Sequence, residues 1–170
     1  MCGIVGYIGR EKKAEKVVLE GLYRLEYRGY DSAGLAYVES DNIKVVRAKG
    51  AVKGLDEKCQ SIQPQDLAIG HTRWATHGKP SEANAHPHLS FKGKLALVHN
   101  GIIENYKFLK EALKDEGYMF SSETDTEVLA NWIEHTMLQL NLSLEDAVHQ
   151  ALKSVHGAYA IAVIEPSAEM

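Results

Sequence analysis

The residue whose type and position most clearly suit catalysis is Cys2, which directly follows the initiator Met1. Removal of Met1 leaves a thiol and a free α-amino group on one residue, and an unperturbed α-amino group has a pKa of about 7.7–8.0. Near neutral pH such an amine can accept the thiol proton, directly or through a water, without a histidine. The pattern predicts an N-terminal cysteine nucleophile. The alternatives are that Cys2 stands there by chance, or that a retained Met1 removes the base.

Two groups of opposite charge are candidates for holding the two ends of an amino acid. Arg73 follows a predicted strand, and its planar guanidinium suits a carboxylate, with Thr76 and His77 as polar donors beside it. Asp125 begins a predicted helix and could receive an ammonium group. Each residue also has an ordinary interpretation, which is a surface salt bridge for Arg73 and compensation of the helix dipole for Asp125.

The pair Asn100-Gly101 is a candidate oxyanion site. It offers a side-chain amide NH₂ beside an unhindered backbone N–H, which is the donor pair that an oxyanion hole needs. The same dipeptide is also a strong signal for a hairpin turn. From the sequence alone both interpretations stay open.

Two further residues are candidates for the lining of the same site. Trp74 follows Arg73 directly and could serve either as an apolar lid or as a core residue. Arg28 begins a segment rich in glycine and charge, residues 28–34, which lacks the glycine spacing of a phosphate loop. We interpret this segment as a shaped turn near the first strand, lining the site.

The density of histidines in one part of the chain raises the question of a metal site. Five histidines fall between residues 71 and 99: His71, His77, His86, His88 and His99. Their spacing matches neither a His-Glu-x-x-His helix nor a cysteine–histidine ladder. A flexible loop at residues 86–88 could still hold a metal, but structural or substrate-loop roles fit better. We therefore expect neither a metal nor another cofactor.

Composition limits the class of protein. The chain has 170 residues, 45% of them hydrophobic and 25% charged, which fits one globular domain. The formal net charge of -4 gives no indication of nucleic acid or a membrane surface as a partner. No signal peptide precedes the charged residues 10–13, so we expect a cytoplasmic protein in which Cys2 and Cys59 stay reduced. Cys59 is interpreted as an inert thiol.

The elements that must position these residues alternate between strands and helices. Period-two or short apolar runs predict strands at residues 3–9, 33–39, 43–48, 67–72, 94–98 and 158–164. Apolar stripes and capping residues predict helices at 13–26, near 53–60, from Asn105 to Gly117, from a Thr124–Glu127 capping box onward, and from Ser143. Residues 77–93 are predicted to be a long irregular connection of functional importance. The pattern favours sheet layers packed against helices.

Six segments, taken in order along the chain, resemble motifs of the class II glutamine amidotransferases, which are N-terminal nucleophile hydrolases. They are residues 2–6, 28–34, 71–78, 84–88, 99–105 and 122–127. The segments at 28–34 and 71–78 are most similar to the hexosamine-forming branch of that family. The resemblance implies an α+β fold, the four-layer αββα sandwich of these hydrolases. It also implies that the family's domain continues beyond residue 170, so we expect an incomplete sandwich.

The resemblance assigns a role to each candidate residue. It implies that Cys2 attacks the glutamine side-chain amide, with its own α-amine as general base and acid. It implies that Asn100 and the Gly101 N–H hold the oxyanion. By the same likeness Arg73, Thr76 and His77 hold the substrate carboxylate and Asp125 the substrate amine, while Trp74 and Arg28 lie at the site.

The resemblance also implies the partners. Glutamine is the expected substrate and glutamate the product, and the ammonia would reach fructose 6-phosphate on a sugar isomerase part that this chain does not contain. The alternatives are a glutaminase domain of another class II amidotransferase, a binding module made silent by truncation or a retained Met1, and a histidine-rich metal-binding domain. An unpaired sheet edge makes self-association a further expectation.

Overall fold

The computed structural model describes residues 2–74 and 79–166. The described residues contain seven strands: β1 (Gly3–Ile8), β2 (Ser32–Glu39), β3 (Asn42–Lys49), β4 (Leu67–Arg73), β5 (His88–Leu89), β6 (Ala96–Ile103) and β7 (Gly157–Ile164). They also contain five α-helices: α1 (Ala14–Leu25), α2 (Val52–Cys59), α3 (Tyr106–Asp115), α4 (Asp125–Leu140) and α5 (Leu144–Leu152). None of these helices is long and apolar enough to cross a membrane.

The strands form two antiparallel sheets. The first has the order β1-β4-β2-β3, and the second has the order β5-β6-β7. The hairpin between β2 and β3 turns at Ser40 and Asp41, whose positive φ angles of 48° and 59° are typical of a tight hairpin turn. In the first sheet the central strand β4 places His71 opposite Ile4 on one side and Gly34 on the other.

Three apolar clusters separate four layers of secondary structure. One cluster joins α1 and α2 to the first sheet, and includes Val18, Leu22, Leu35, Leu55 and Ala68. A second, smaller cluster lies between the two sheets and includes Ala36, Ile69, Ala96, Val98 and Ile164. The third joins the second sheet to α3, α4 and α5, and includes Leu97, Ile103, Leu109, Leu129 and Ala147. The order of layers is therefore helix, sheet, sheet, helix.

The alternation of strand side chains decides which residues enter the space between the sheets. Ala68 of β4 faces α1, whereas Ile69 faces the second sheet. Because side chains alternate along a strand, His71 and Arg73 share the face of Ile69. On β6 the same rule puts Asn100 on the face of Val98. The side chains of His71 and Arg73 from β4 and of Asn100 from β6 therefore all point into the layer between the sheets.

Three local predictions differ from the structure. Strand β6 does not end before Asn100-Gly101 but continues through this pair to Ile103, because β7 pairs with it along its whole length. The segment 77–93 is not wholly irregular, since the short strand β5 lies within it. Asn105 precedes α3 but does not cap it, because its side chain bonds instead to the Ser154 carbonyl and the His156 N–H, at 2.8 and 2.9 Å.

The predicted capping box at the start of α4 is only half formed. The Thr124 hydroxyl accepts the Glu127 N–H at 3.2 Å, as predicted. The Glu127 carboxylate does not return to Thr124, because the N–H and hydroxyl groups of Ser121 and Ser122 occupy it at 2.6–2.9 Å. These bonds bury the start of α4, and with it Asp125, at one end of the layer between the sheets.

Candidate active site

A single cavity of about 540 Å³ brings together most of the predicted site residues. Seven of them line it: Cys2, Arg28, Arg73, Trp74, Asn100, Gly101 and Asp125. The other two, Thr76 and His77, lie outside the described residues. Residues far apart in sequence converge here because the cavity lies where β1, β4 and β6 and the start of α4 meet.

Cys2 lies beside the end of β4. Its Sγ accepts the backbone N–H of Trp74 at 3.2 Å, and the thiol lies 3.6 Å from the Trp74 carbonyl oxygen. A Cβ on Gly29 would lie 3.1 Å from backbone atoms of Arg73 and Trp74, so the absence of a side chain lets this peptide approach. The two contacts of Sγ with Trp74 hold the sulfur atom at the wall of the cavity. The geometry therefore places the thiol where a substrate bound in the cavity can reach it.

Asn100 and Gly101 line the same cavity from the second sheet. The Asn100 Nδ2 donates to the backbone carbonyl of Cys2 at 3.2 Å. Gly101 has a φ of 127°, and a Cβ there would lie 2.1 Å from the Ala158 carbonyl oxygen, so only glycine fits. The interpretation of this pair as a hairpin turn is wrong, because both residues pair with β7 inside strand β6.

Arg73 and Asp125 supply the two buried charges that line the cavity. Arg73 is only 4% exposed, so its interpretation as a surface salt bridge is wrong. Asp125 is equally buried, and its Oδ2 accepts the Ile103 N–H at 2.9 Å. As the first residue of α4, Asp125 also lies at the positive end of the helix dipole. A buried cation and a buried anion that line one cavity suit a zwitterion.

Trp74 and Arg28 form the rim. The interpretation of Trp74 as a core residue is wrong, because the side chain is 52% exposed. Its ring makes an edge contact with Tyr30, with centroids 6.1 Å apart and planes at 86°. Arg28 is half-buried at the end of a short 3₁₀ helix, Glu26–Arg28, and lines the cavity from the same side.

Four buried imidazoles lie at the inner wall of the cavity and behind it, and we refer to them as the imidazole cluster: His71, His86, His88 and His99. The ring centroid of His86 lies 4.2 Å from that of His71, 5.1 Å from that of His88 and 6.3 Å from that of His99. Burial lowers the pKa of His71 to about 4 and the pKa values of His86 and His88 well below 6.5. These three rings are therefore neutral at pH 7.

The imidazole cluster joins the cavity to the start of α4. His99 Nδ1 lies 2.9 Å from the Thr126 hydroxyl, and His88 Nε2 lies 3.0 Å from the Thr124 hydroxyl. In the part of the chain that the structure describes, no three His, Cys, Asp or Glu side chains are grouped so that they could hold a metal ion. These rings have the buried, hydrogen-bonded surroundings of structural histidines.

Sequence reasoning missed several residues that line the cavity. They are His86, His99, Ile102, Thr124, Thr126, Ala158 and Tyr159. Four of them are neighbours of predicted site residues, since His99 and Ile102 flank Asn100-Gly101 and the two threonines flank Asp125. Their position next to predicted site residues in the sequence could therefore have identified these four. No signal in the sequence marked Ala158 or Tyr159, whose position depends on the pairing of β7 with β6.

Comparisons with known proteins identify the family of the chain and its fold. A family model described as a glutamine amidotransferase domain matches residues 36–169. A glutamine–fructose-6-phosphate aminotransferase (isomerizing) from Caldanaerobacter subterraneus is 53% identical over 165 residues, which are 96% of this chain and 26% of that protein. An enzyme of the same name from Thermus thermophilus is 54% identical over 164 residues, with the same two coverages. The chain thus spans about a quarter of the length of these relatives.

Solved structures show the fold. A glutamine phosphoribosylpyrophosphate (PRPP) amidotransferase from B. subtilis, complexed with ADP and GMP, has a TM-score of 0.81 and 28% identity to this chain. The match covers 98% of this chain and 35% of that one. The predicted α+β sandwich of the N-terminal nucleophile hydrolases is confirmed by this likeness together with the helix–sheet–sheet–helix layers. The chain belongs to the glutamine amidotransferase domain family.

Proposed function

We propose that this chain is a glutaminase domain that hydrolyses the side-chain amide of glutamine through a thioester on Cys2. The observation that supports this most is the single cavity lined by a thiol, a buried guanidinium and a buried carboxylate. A thiol supplies the nucleophile, and the two charges fit the two ends of an amino acid. The neutral amide at the other end of glutamine would then face Cys2.

The first half of the reaction forms the thioester. After removal of Met1, the α-amine of Cys2 takes the thiol proton, and Sγ attacks the amide carbon. The carbonyl oxygen becomes an oxyanion that accepts hydrogen bonds from the Asn100 side chain and the Gly101 N–H. The protonated α-amine gives its proton to the leaving nitrogen, the C–N bond breaks, and ammonia departs.

The second half regenerates the thiol. A water attacks the thioester carbon while the Cys2 α-amine takes one of its protons, and the same two donors hold the second oxyanion. The C–S bond then breaks, glutamate forms, and the proton returns to sulfur. Because the two tetrahedral intermediates have the same shape and charge, one oxyanion site serves both steps.

Substrate binding would use both charged residues. Arg73 can hold the α-carboxylate of glutamine with two parallel N–H donors, and Thr76 and His77 are proposed to assist it. Asp125, already held by the Ile103 N–H, can receive the α-ammonium group. Arg28 and the exposed ring of Trp74 would cover the bound amino acid from the rim.

We further propose that residues 1–170 form a glutaminase domain that is incomplete at its C-terminus and belongs to a longer protein that aminates fructose 6-phosphate. The support is the 53–54% identity to enzymes named for that reaction, against 28% for the PRPP amidotransferase. The sugar would bind a part of the longer protein outside this chain. We also propose a cytoplasmic location and self-association.

The test combines labelling with product release. The intact mass of the chain is measured before and after incubation with a diazoketone analogue of glutamine, and glutamate release is measured separately. The parent is expected to lack Met1, to gain one adduct and to release glutamate. The variant Cys2→Ala is expected to gain no adduct and to release no glutamate. Cys59→Ala is the matched control and should behave like the parent, because burial raises the pKa of Cys59 to about 11.

Two outcomes would count against the proposal. Glutamate release by Cys2→Ala at the parent rate would show that another group is the nucleophile. A processed parent that neither gains an adduct nor releases glutamate would show that the chain does not form a working site. A parent that keeps Met1 identifies an unprocessed chain, and the assay is then repeated after enzymatic removal of Met1.

A further inference from the structure

One side chain of the imidazole cluster touches the proposed oxyanion site, although it lies outside the cavity. His71 is fully buried on β4 of the first sheet, and its Nε2 lies 2.8 Å from Oδ1 of Asn100 on β6 of the second sheet. This contact crosses the layer between the sheets. It connects the residue that would hold the oxyanion to a rigid central strand on the opposite side of the sandwich.

The direction of this hydrogen bond follows from its neighbour. The Cys2 carbonyl can only accept, so the amide atom of Asn100 that faces it at 3.2 Å is Nδ2. The other amide atom, Oδ1, can also only accept, so His71 must donate through Nε2–H. Burial lowers the pKa of His71 to about 4, so at neutral pH the donor is the neutral ring with its proton on Nε2.

A carboxamide can rotate by 180° about its last bond, and the two orientations have opposite chemical effects. With Nδ2 toward Cys2, the group offers N–H donors to a developing negative charge. With Oδ1 toward Cys2, it offers a lone pair that repels both the Cys2 carbonyl and the oxyanion. A donor fixed opposite Oδ1 therefore selects the productive orientation.

We propose that His71 is a positioning residue that holds the Asn100 carboxamide with its NH₂ group toward the reacting carbon. The inference rests on the proposed function and deepens it, because it explains why a flexible amide can act as a preorganised donor. His71 touches neither the substrate nor the thiol and acts through Asn100 alone. Its ring also packs against His86, which limits its own rotation.

The test replaces the donor and then restores it. His71→Leu removes the Nε2–H, and we expect kcat for glutamine hydrolysis to fall about 10- to 100-fold, less than the loss on deleting an oxyanion donor outright. KM for glutamine should stay close to that of the parent, since Arg73 and Asp125 are untouched. His71→Gln places an amide NH₂ near the position of Nε2 and should recover most of the lost kcat.

Alkylation of Cys2 by iodoacetamide separates positioning from a general structural defect. This displacement at carbon forms no oxyanion, so His71→Leu should be alkylated at the parent rate while it hydrolyses glutamine slowly. A double-mutant cycle gives the second readout. If His71 acts only through Asn100, then His71→Leu should add no further loss of kcat to Asn100→Ala.

Each contrary result overturns the inference in a recognisable way. Parent kcat in His71→Leu would show that Asn100 needs no partner. An equal loss of glutamine hydrolysis and of Cys2 alkylation, or no recovery in His71→Gln, would show a structural role only. A full additional loss in the Asn100→Ala background would show that His71 acts by another route. Failure of the proposed function is distinct, because the parent chain itself would then release no glutamate.

Discussion

Between the two sheets, strands β4 and β6 carry apolar side chains at one end and polar side chains at the other. At the apolar end Ile69 packs with Ala96 and Val98. One period further along the same faces, His71 meets Asn100 at 2.8 Å. The same layer thus changes from a packed core to a hydrogen-bonded site within two residues on each strand.

This difference shows how a sandwich can hold a polar site rigidly. The apolar end is close-packed, which fixes the spacing of the sheets. The polar end uses that spacing, because a hydrogen bond across the layer requires the two strands to stay within a few tenths of an ångström of one position. Substitutions at the apolar end should therefore change stability, and substitutions at the polar end should change chemistry.

The largest expected effect is at the polar end. Asn100→Ala should lower kcat for glutamine hydrolysis by about 10²–10³-fold, because one oxyanion donor is lost. Steady-state glutamate release measures this, with thermal unfolding recorded in parallel. Val98→Ala is the matched control on the same face of β6, and it should lower stability while kcat stays near that of the parent. Equal losses of kcat in both variants would refute the division between the two ends.

The second effect concerns the pH dependence of stability. Burial lowers the pKa of His71 from 6.5 to about 4, so between these pH values the unfolded chain binds more protons than the folded chain. The free energy of unfolding should therefore fall as the pH drops, and His71 alone should contribute a fall of about 2 kcal/mol between pH 7 and pH 5. His86 and His88 act in the same direction.

Urea unfolding of the parent and of His71→Gln at several pH values isolates the contribution of His71. The variant cannot titrate at this position, so its stability should fall less steeply toward pH 5. Carboxylates that titrate in this range affect both proteins alike and cancel in the difference. Parallel curves for the two proteins would show that the His71 ring is not held neutral by burial.

The smallest effect is at the apolar end. Ile69→Val removes one methylene group from a side chain that is 4% exposed, and should cost about 0.5–1.5 kcal/mol of unfolding free energy. The kcat for glutamine should not change, because Asn100 and His71 keep their contact. A clear fall in kcat without a fall in stability would show that the spacing of the sheets at this point limits the chemistry directly.

Most elements were predictable because their signals are local. The apolar stripe predicted a helix at 13–26, and α1 runs from Ala14 to Leu25. The cap residue Ser143 was also predicted, and its hydroxyl accepts the Asp146 N–H at 3.2 Å. Such signals depend on residues within one turn of each other, so tertiary structure seldom overrides them.

The predictions that were wrong concern residues whose structure depends on partners distant in sequence. Asn100-Gly101 has the composition of a turn, but pairing with a strand more than 50 residues later keeps it extended. The amide of Asn105 was assigned to its own helix, and it bonds to Ser154 and His156 instead. In both cases the hydrogen-bonding groups bond to a partner that is distant in sequence, instead of to the neighbouring residues of a turn or a helix start.

The candidate site shows the same difference between what is local in sequence and what depends on distant contacts. The types and order of Cys2, Arg73, Asn100 and Asp125 could be read as nucleophile, carboxylate clamp, oxyanion donor and amine receptor, since chemistry follows from functional groups. The variants Cys2→Ala and Asn100→Ala test the first and the third of these roles. That they line one cavity of about 540 Å³ depends on the stacking of the two sheets, which no local pattern specifies.

The sequence by itself therefore determined the reactive groups, most of the strands and helices, and the alternation that sends every second residue toward the opposite sheet. Only the tertiary structure decided which of those residues meet. The contact of His71 with Asn100 joins positions 29 residues apart on different sheets. The contact depends on the register and spacing of two strands that belong to different sheets and are not paired by backbone hydrogen bonds, and those are set by the packing of all four layers at once.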